Sequence, residues 1–167
     1  MRLQCGSLNG QRKKNTKIKL QELLGQAGHY SERTRRSALL GLSSLLERYP
    51  GVLFASLSTI LPAIALRVAD GDAATRAAAR DLWTQRVSGS VSEAQLAPFL
   101  PLLMAHVCSA ATHIQTDVRL DSFRFLSALV ADCPRAVAAG HGGSVLQLFA
   151  ASLSQVRTAQ VAVRTQS

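Results

Sequence analysis

The sequence predicts an all-α protein. Leu and Ala dominate, aromatic residues make up only 5% and the chain has 5 prolines, a balance that favours helices over a β-sandwich or barrel. Apolar residues account for 47% of the 167 residues, so the chain is able to bury a core and is not disordered throughout. Similar segments recur at intervals of about 42 residues, a spacing typical of stacked helical hairpins.

The repeat is centred on Arg35, Arg76 and Arg119, each early in a segment with the apolar spacing of an amphipathic helix. A small residue follows each arginine by three positions and a large apolar residue follows it by seven. Pro50 and Pro134 are predicted to end the first and third of these segments, because proline cannot continue a helix. Each arginine helix is therefore predicted to be one half of a repeated unit.

Another helix is predicted before each arginine helix, and before the second and third it is the more apolar of the two. Three pairs are expected in order along the chain, at 18–27 with 31–49, at 53–69 with 72–87, and at 94–111 with 116–133. A last helix is expected at 144–156 without a partner, after a flexible glycine-rich turn at 140–143. Ser31, Asp72 and Thr116 are the predicted capping residues of the arginine helices, since their side-chain oxygens accept bonds from free backbone N–H groups.

Hairpins of this kind bury their apolar stripes only by stacking, so the sequence predicts an α-solenoid of HEAT/armadillo-like helical hairpins. Residues 18–156 are assigned to this array, as about three helix pairs plus a final helix. A basic flexible tail at 1–17 and a C-terminal tail at 157–167 flank it. Three long uncharged stretches have the length of membrane spans, but their prolines, glycines and histidines favour the array over lipid. No membrane contact is expected.

The net charge of +9 comes almost wholly from the two ends of the chain. The first twenty residues include basic side chains and no acid, whereas the middle of the chain is nearly neutral. A short basic cluster is typical of a nuclear import signal or of a segment that contacts nucleic-acid phosphate. A solvated tail without function is the alternative interpretation. The candidate contact residues are Arg12, Lys13, Lys14, Lys17 and Lys19.

A second set of candidates comprises Arg35, Arg76, Arg119, Asp117 and Asp121. Because the arginines share one position in the repeat, they are expected on equivalent faces of stacked helices. They are predicted either to face a partner or to form a ladder of ion pairs with aspartates of their own or the next unit, and the repeat favours the ladder. Asp72 is also expected to pair with Arg76 along the helix face.

The sequence lacks the patterns that catalysis or metal binding requires. The four histidines are isolated from one another, and neither a nucleophile with a base nor a pair of catalytic carboxylates is evident. The three cysteines are far apart and include no Cys-x-x-Cys pair. We therefore expect a protein that is not an enzyme and that needs no cofactor.

The third unit carries the most specific motif of the chain. Its residues are Thr112, His113, Ile114, Asp117, Arg119, Asp121, Ser122, Phe125, Leu126 and Pro134. With this motif, and over about residues 20–135, the sequence resembles the family of testis-expressed protein 10 and its fungal counterpart. Members of that family are HEAT-repeat subunits of a complex that matures the large ribosomal subunit.

The resemblance implies a non-catalytic scaffold subunit of the nucleolus and nucleoplasm that assists processing of the pre-rRNA internal transcribed spacer. The partners it implies are a leucine-rich scaffold protein, a WD-repeat subunit and a dynein-like AAA ATPase on the pre-ribosome. Weak RNA contact through the N-terminal tail is a further expectation. The alternative is a HEAT-type adaptor in nuclear transport or in chromatin and transcription regulation, because a solenoid supplies a surface and not a chemistry.

Overall fold

The computed structural model describes residues 5–164, and the side chains of residue 11 and residues 14–154. Within this range the regular elements are all helical, which confirms the all-α prediction. The α-helices of the described range are α1 (Cys5–Ala27), α2 (Glu32–Arg48), α3 (Gly51–Ala55), α4 (Leu57–Ala65), α5 (Ala73–Leu82), α6 (Glu93–Leu96), α7 (Leu100–Ala111), α8 (Thr116–Asp132) and α9 (Pro134–Arg164). A π-helical turn, Trp83–Val87, extends α5, and a 3₁₀ turn, Ala97–Phe99, joins α6 to α7.

The helices pack in two ordered rows. In one row α1 contacts α4, α4 contacts α7 and α7 contacts α9, while in the other α2 contacts α5 and α5 contacts α8. Contacts between α1 and α2, α4 and α5, and α7 and α8 join the rows. Each arginine helix therefore packs on the more apolar helix that precedes it and on the arginine helix of the neighbouring hairpin.

One continuous core lies between the rows, and its largest fully buried side chain is Trp83. The Trp83 ring packs against Phe125, with ring centroids 5.5 Å apart, and its Nε1–H donates to Asp132 Oδ2 at 2.7 Å. Asp132 Oδ1 accepts a second bond from Ser88 Oγ at 2.6 Å. Trp83, which begins the π-helical turn, and Ser88, which follows it, therefore tie the end of α5 to Asp132 at the end of α8. Aliphatic side chains fill the rest of the core, each contributing roughly 1.5–3 kcal/mol when fully buried.

The predicted capping residues behave differently from one another. Asp72 caps α5, because its Oδ2 accepts the Thr75 N–H at 2.8 Å and the Thr75 hydroxyl at 2.7 Å. Ser31 occupies the N-cap position of α2, but its side chain makes no capping bond. The prediction for Thr116 is wrong: Gln115 is the N-cap of α8, and Thr116 lies in the first turn, where its hydroxyl accepts from an arginine of its own helix.

The helix predicted over 53–69 is interrupted and shorter than expected. Ser56 has a non-helical backbone, with φ −136°, and separates α3 from α4. Its carbonyl accepts the N–H groups of Thr59 and Ile60, each at 3.0 Å, so it begins a new helix instead of continuing the previous one. Pro62 lies inside α4, where it leaves one carbonyl of the preceding turn without its helical donor.

Both terminal helices extend further than predicted. The backbone is helical from Cys5, within the segment 1–17 that was expected to be flexible. The turn predicted at 140–143 is wrong, because these residues lie inside α9. Val137 and Leu148 of α9 are both buried, in keeping with a continuous helix, in which residues eleven apart share one face. The division into a basic tail, a repeat array and a C-terminal tail stays a prediction.

Two described segments, Glu93–Ala111 and Pro134–Ser154, are long and apolar enough to cross a membrane by length and composition. Core helices of soluble proteins pass the same test. In the first segment, 39% of the window is buried inside the fold, and Leu100 and Leu103 lie in the core. In the second segment only 11% of the window is buried, so most of Pro134–Ser154 is exposed.

Candidate functional site

Three interhelical turns share one hydrogen-bond pattern built on the repeat arginines. In each turn the arginine Nη1 donates to the carbonyls six and five residues before it, at 2.8–3.1 Å. The acceptors are His29 and Tyr30 for Arg35, Asp70 and Gly71 for Arg76, and His113 and Ile114 for Arg119. Each arginine thus fixes the turn that precedes its own helix.

The first residue of each turn also has a common role. Its side chain accepts the backbone N–H two residues later, at 3.0–3.1 Å, and the accepting atoms are His29 Nδ1, Asp70 Oδ1 and His113 Nδ1. A histidine or an aspartate is therefore able to close this turn. Only the aspartate carries the negative charge that also binds an arginine of the preceding hairpin.

Asp70 uses that charge to join the first hairpin to the second. Arg35 binds it with two nitrogens, Nε to Oδ2 at 2.8 Å and Nη2 to Oδ1 at 2.6 Å, and Arg67 Nη1 lies 2.9 Å from Oδ2. The Asp70 side chain is only 2% exposed and that of Arg35 14%. Burial opposes ionisation of Asp70, but the bonds from Arg35 and the Asp72 N–H, with the nearby positive charges, hold its pKa below the ordinary value. The bond to Asp70 raises the pKa of Arg35.

Asp121 joins the second hairpin to the third. Arg76 Nε donates to Asp121 Oδ2 at 2.8 Å, and the Arg76 side chain is 3% exposed. Arg80 and Arg124 contact Oδ1 of the same carboxylate at 3.3 and 2.8 Å. Burial opposes ionisation of Asp121 too, yet the arginine bonds and charges lower its pKa. The expected pair between Asp72 and Arg76 is wrong, because Asp72 is engaged in capping α5 and Arg76 reaches across to α8.

Arg119 and Asp117 stand apart from these ion pairs. Arg119 Nη2 donates to Thr116 Oγ1 at 3.0 Å, but its Nε contacts no acceptor among the described residues. Asp117 is exposed and makes no ion pair with a described residue. Of the predicted ladder residues, the structure therefore brings Arg76 and Asp121 together. It pairs Arg35 with Asp70, which is not one of the predicted ladder residues.

The missed residue, Asp70, has a sequence signal. It lies six residues before Arg76, the position that His29 occupies before Arg35 and His113 before Arg119. This shared position in the turn is the sequence signal for Asp70.

The basic candidates lie on α1. Lys14, Lys17 and Lys19 are exposed and make no ion pair with a described residue, whereas the side chains of Arg12 and Lys13 lie outside the described residues. Lys19 lines a cleft between α1 and α2 whose wall also includes the exposed Arg48. Exposed lysines on one helix are able to contact phosphate without sequence preference.

Two observations on the described residues concern metal binding and thiol chemistry. Within the part of the chain that the structure describes, no group of three or more His, Cys, Asp and Glu side chains could hold a metal ion. Cys108 and Cys133 are free thiols, and burial raises the pKa of Cys133 to about 11, so its thiol stays protonated at neutral pH.

Known proteins show what the chain is similar to. Residues 94–167 match the model of a family described as a Rix1 complex component involved in 60S ribosome maturation. The chain is also 31% identical over 135 residues to the testis-expressed protein 10 homolog of Danio rerio. The predicted resemblance to this family is confirmed. The aligned part is 79% of this chain and 14% of that relative, so the chain spans a small part of the curated relative's length.

The family model matches only the C-terminal part of the repeat. Residues 94–167 include α7, α8 and α9, with the candidates Asp117, Arg119 and Asp121. Arg35 and the basic residues of α1 lie outside the match to the family model. The candidates on α8 are therefore the ones to which the family match applies.

Proposed function

We propose that this chain acts in maturation of the large ribosomal subunit as a non-catalytic scaffold, through protein contacts on its helical faces. The match of residues 94–167 to a family of 60S maturation components carries the proposal. A scaffold role is in keeping with the helix faces and ion-paired turns that the described residues present.

The architecture we propose for this role is a HEAT/armadillo-like α-solenoid over residues 18–156. The two ordered rows of helix contacts support it, and so does the arginine pattern that recurs in three successive turns. In a solenoid each unit contacts its neighbours, and the pairs Arg35 with Asp70 and Arg76 with Asp121 are contacts of that kind. The segments 1–17 and 157–167 would flank the array as tails.

The proposed partners are those that the family resemblance implies, namely a leucine-rich scaffold protein, a WD-repeat subunit and a dynein-like AAA ATPase on the pre-ribosome. The proposed location is the nucleus, in the nucleolus and nucleoplasm, and the proposed step is processing of the internal transcribed spacer. Gradient fractionation tests this function. The tagged chain is expected to sediment with precursors of the large subunit in nuclear extract, and sedimentation only as free protein would contradict the proposal.

The basic residues of α1 are proposed as a secondary contact to RNA phosphate, supported by the exposure of Lys14, Lys17 and Lys19. Changing all three to Gln is expected to weaken binding to single-stranded RNA and to lower the salt slope by about 2, because each lost phosphate contact removes about 0.7 from that slope. The matched control removes three exposed arginines instead, Arg33, Arg36 and Arg135. Equal losses in both variants would indicate an effect of net charge alone and would contradict a contact on α1.

A further inference from the structure

An apolar surface remains open where the two helix rows end at α8 and α9. On α8, Leu120 is 52% exposed and Val130 39%. In the α2 helix of the first hairpin, the residues four and eleven positions after the arginine are Leu39 and Leu46, and both lie in the core. The same positions after Arg119 hold Phe123, which is half-buried, and the exposed Val130. Thus α8 has the apolar stripe of a stacked helix, but part of that stripe is uncovered.

The uncovered stripe continues onto α9. Leu146, Phe149 and Leu153 are 71%, 50% and 67% exposed, and their spacing of three and four residues places them on one face of the helix. The rings of Phe123 and Phe149 are in contact, with centroids 5.4 Å apart, so the stripes of the two helices adjoin. We call this surface the α8–α9 face, formed by Leu120, Phe123, Val130, Leu146, Phe149 and Leu153. Contiguous exposed apolar surface of this kind marks interaction sites.

Arg119 adds a charged group on α8 with a defined geometry. In the first two hairpins the arginine Nε donates to a carboxylate of the next hairpin, at 2.8 Å from both Arg35 and Arg76. Arg119 holds its own turn with Nη1 in the same way, but its Nε has no acceptor among the described residues. Its guanidinium is therefore already positioned, with one edge left to receive a carboxylate.

We propose that the α8–α9 face docks a helix of a partner protein beside α8, and that the turn before this helix presents an aspartate to Arg119. The template is the internal contact of α2 with α5, in which apolar helix faces pack and Asp70 of the incoming turn binds Arg35. A second copy of this chain, stacked head to tail, would present His29 at the place of Asp70 and so lacks the required charge. The inference rests on the proposed scaffold function and names the partner chemistry of one of its surfaces.

A peptide copied from the chain itself is the probe for this site. A fluorescein-labelled peptide of residues 67–87 contains the Asp70 turn and α5 with its π-helical extension, and it is titrated into the full chain while anisotropy is measured. The wild-type chain is expected to bind it, and Arg119→Gln is expected to weaken binding about tenfold or more, as is an Asp70→Asn peptide. Combining the two changes is expected to add little, because both remove one interaction. The charge control is Arg33→Gln, an exposed arginine of α2, which is expected to bind like wild type.

A second variant covers the case in which Arg119→Gln disturbs its turn. Leu120→Asp changes a side chain that is half exposed, leaves the arginine in place and is expected to weaken peptide binding about tenfold. Absence of wild-type binding up to about 1 mM peptide, or equal binding of the Asp70→Asn peptide, would overturn the proposal. Sedimentation showing a wild-type dimer that Leu120→Asp dissociates would assign the face to a second copy and also overturn it. Peptide binding without sedimentation alongside ribosomal precursors would contradict the proposed function and leave the docking site standing.

Discussion

Replacing Asp70 with Asn tests whether the buried ion pairs hold neighbouring hairpins together. The Asp70 carboxylate is 2% exposed and accepts two bonds from Arg35, one from Arg67 and one from the Asp72 N–H. An amide of the same shape keeps one acceptor oxygen but turns an NH₂ group toward the arginine nitrogens. Each bond to a charged group contributes about 1.5–3 kcal/mol, and breaking a buried pair from one side costs about 3–5 kcal/mol. Because Arg35 is 14% exposed and regains some water, we expect a loss of about 3 kcal/mol.

The matched control is Glu47→Gln, which removes the same charge from an exposed pair. Glu47 is 66% exposed and lies 2.8 Å from Arg86, so its loss is expected to cost about 1 kcal/mol or less. Urea unfolding of both variants, followed by circular dichroism and by the fluorescence of the single, buried Trp83, gives the two free energies of unfolding. The melting temperature of Asp70→Asn is expected to fall by roughly 6–12 °C. A loss below about 1 kcal/mol, equal to that of Glu47→Gln, would refute the assignment of Asp70 as a structural link.

Two further predictions concern pH and glycine. The folded chain holds the pKa values of Asp70 and Asp121 below their ordinary range, so both carboxylates stabilise the fold while they are ionised. The free energy of unfolding is therefore expected to be highest above about pH 4 and to decline as the pH falls below that value. Urea titrations from pH 7 to about 2 measure this decline, and an equally steep decline in Asp70→Asn would contradict it. Gly140→Ala is expected to stabilise α9 by about 0.5–1 kcal/mol, because a Cβ there meets nothing within 4 Å. Gly41→Ala is expected to stabilise less than Gly140→Ala, since its Cβ would lie 2.7 Å from Leu23 Cδ2 and that side chain has to shift; thermal melts compare the two, and equal shifts would oppose this reasoning.

The helical class and the repeat were predictable because they depend on local patterns. Apolar spacing located the arginine helices, and α2 and α8 begin and end within one residue or so of the predicted bounds. The N-cap role of Asp72 followed from its residue type and position. Composition and periodicity thus predicted the extent of α2 and α8, and residue type predicted the cap of α5.

The tertiary partners were less predictable because they depend on contacts between distant residues. Arg76 has an aspartate four residues before it on the chain, but the structure pairs it with Asp121, 45 residues away. The glycines at 140–143 indicate a turn, yet α9 is continuous across them and buries Val137 and Leu148 on one face. In both cases packing between helices outweighs a local preference of modest free energy.

Affinity purification of the tagged full chain from nuclear extract, followed by mass spectrometry, is the most direct test of the scaffold function. Its comparison is a variant with Asp117→Ala, Arg119→Ala and Asp121→Ala, checked by circular dichroism for retained helix. We expect the wild-type chain to recover the leucine-rich scaffold protein, the WD-repeat subunit and pre-ribosomal proteins, and the folded variant to recover less of them. Recovery of import or chromatin factors alone, with pre-ribosomal proteins missing, would contradict a role in large-subunit maturation.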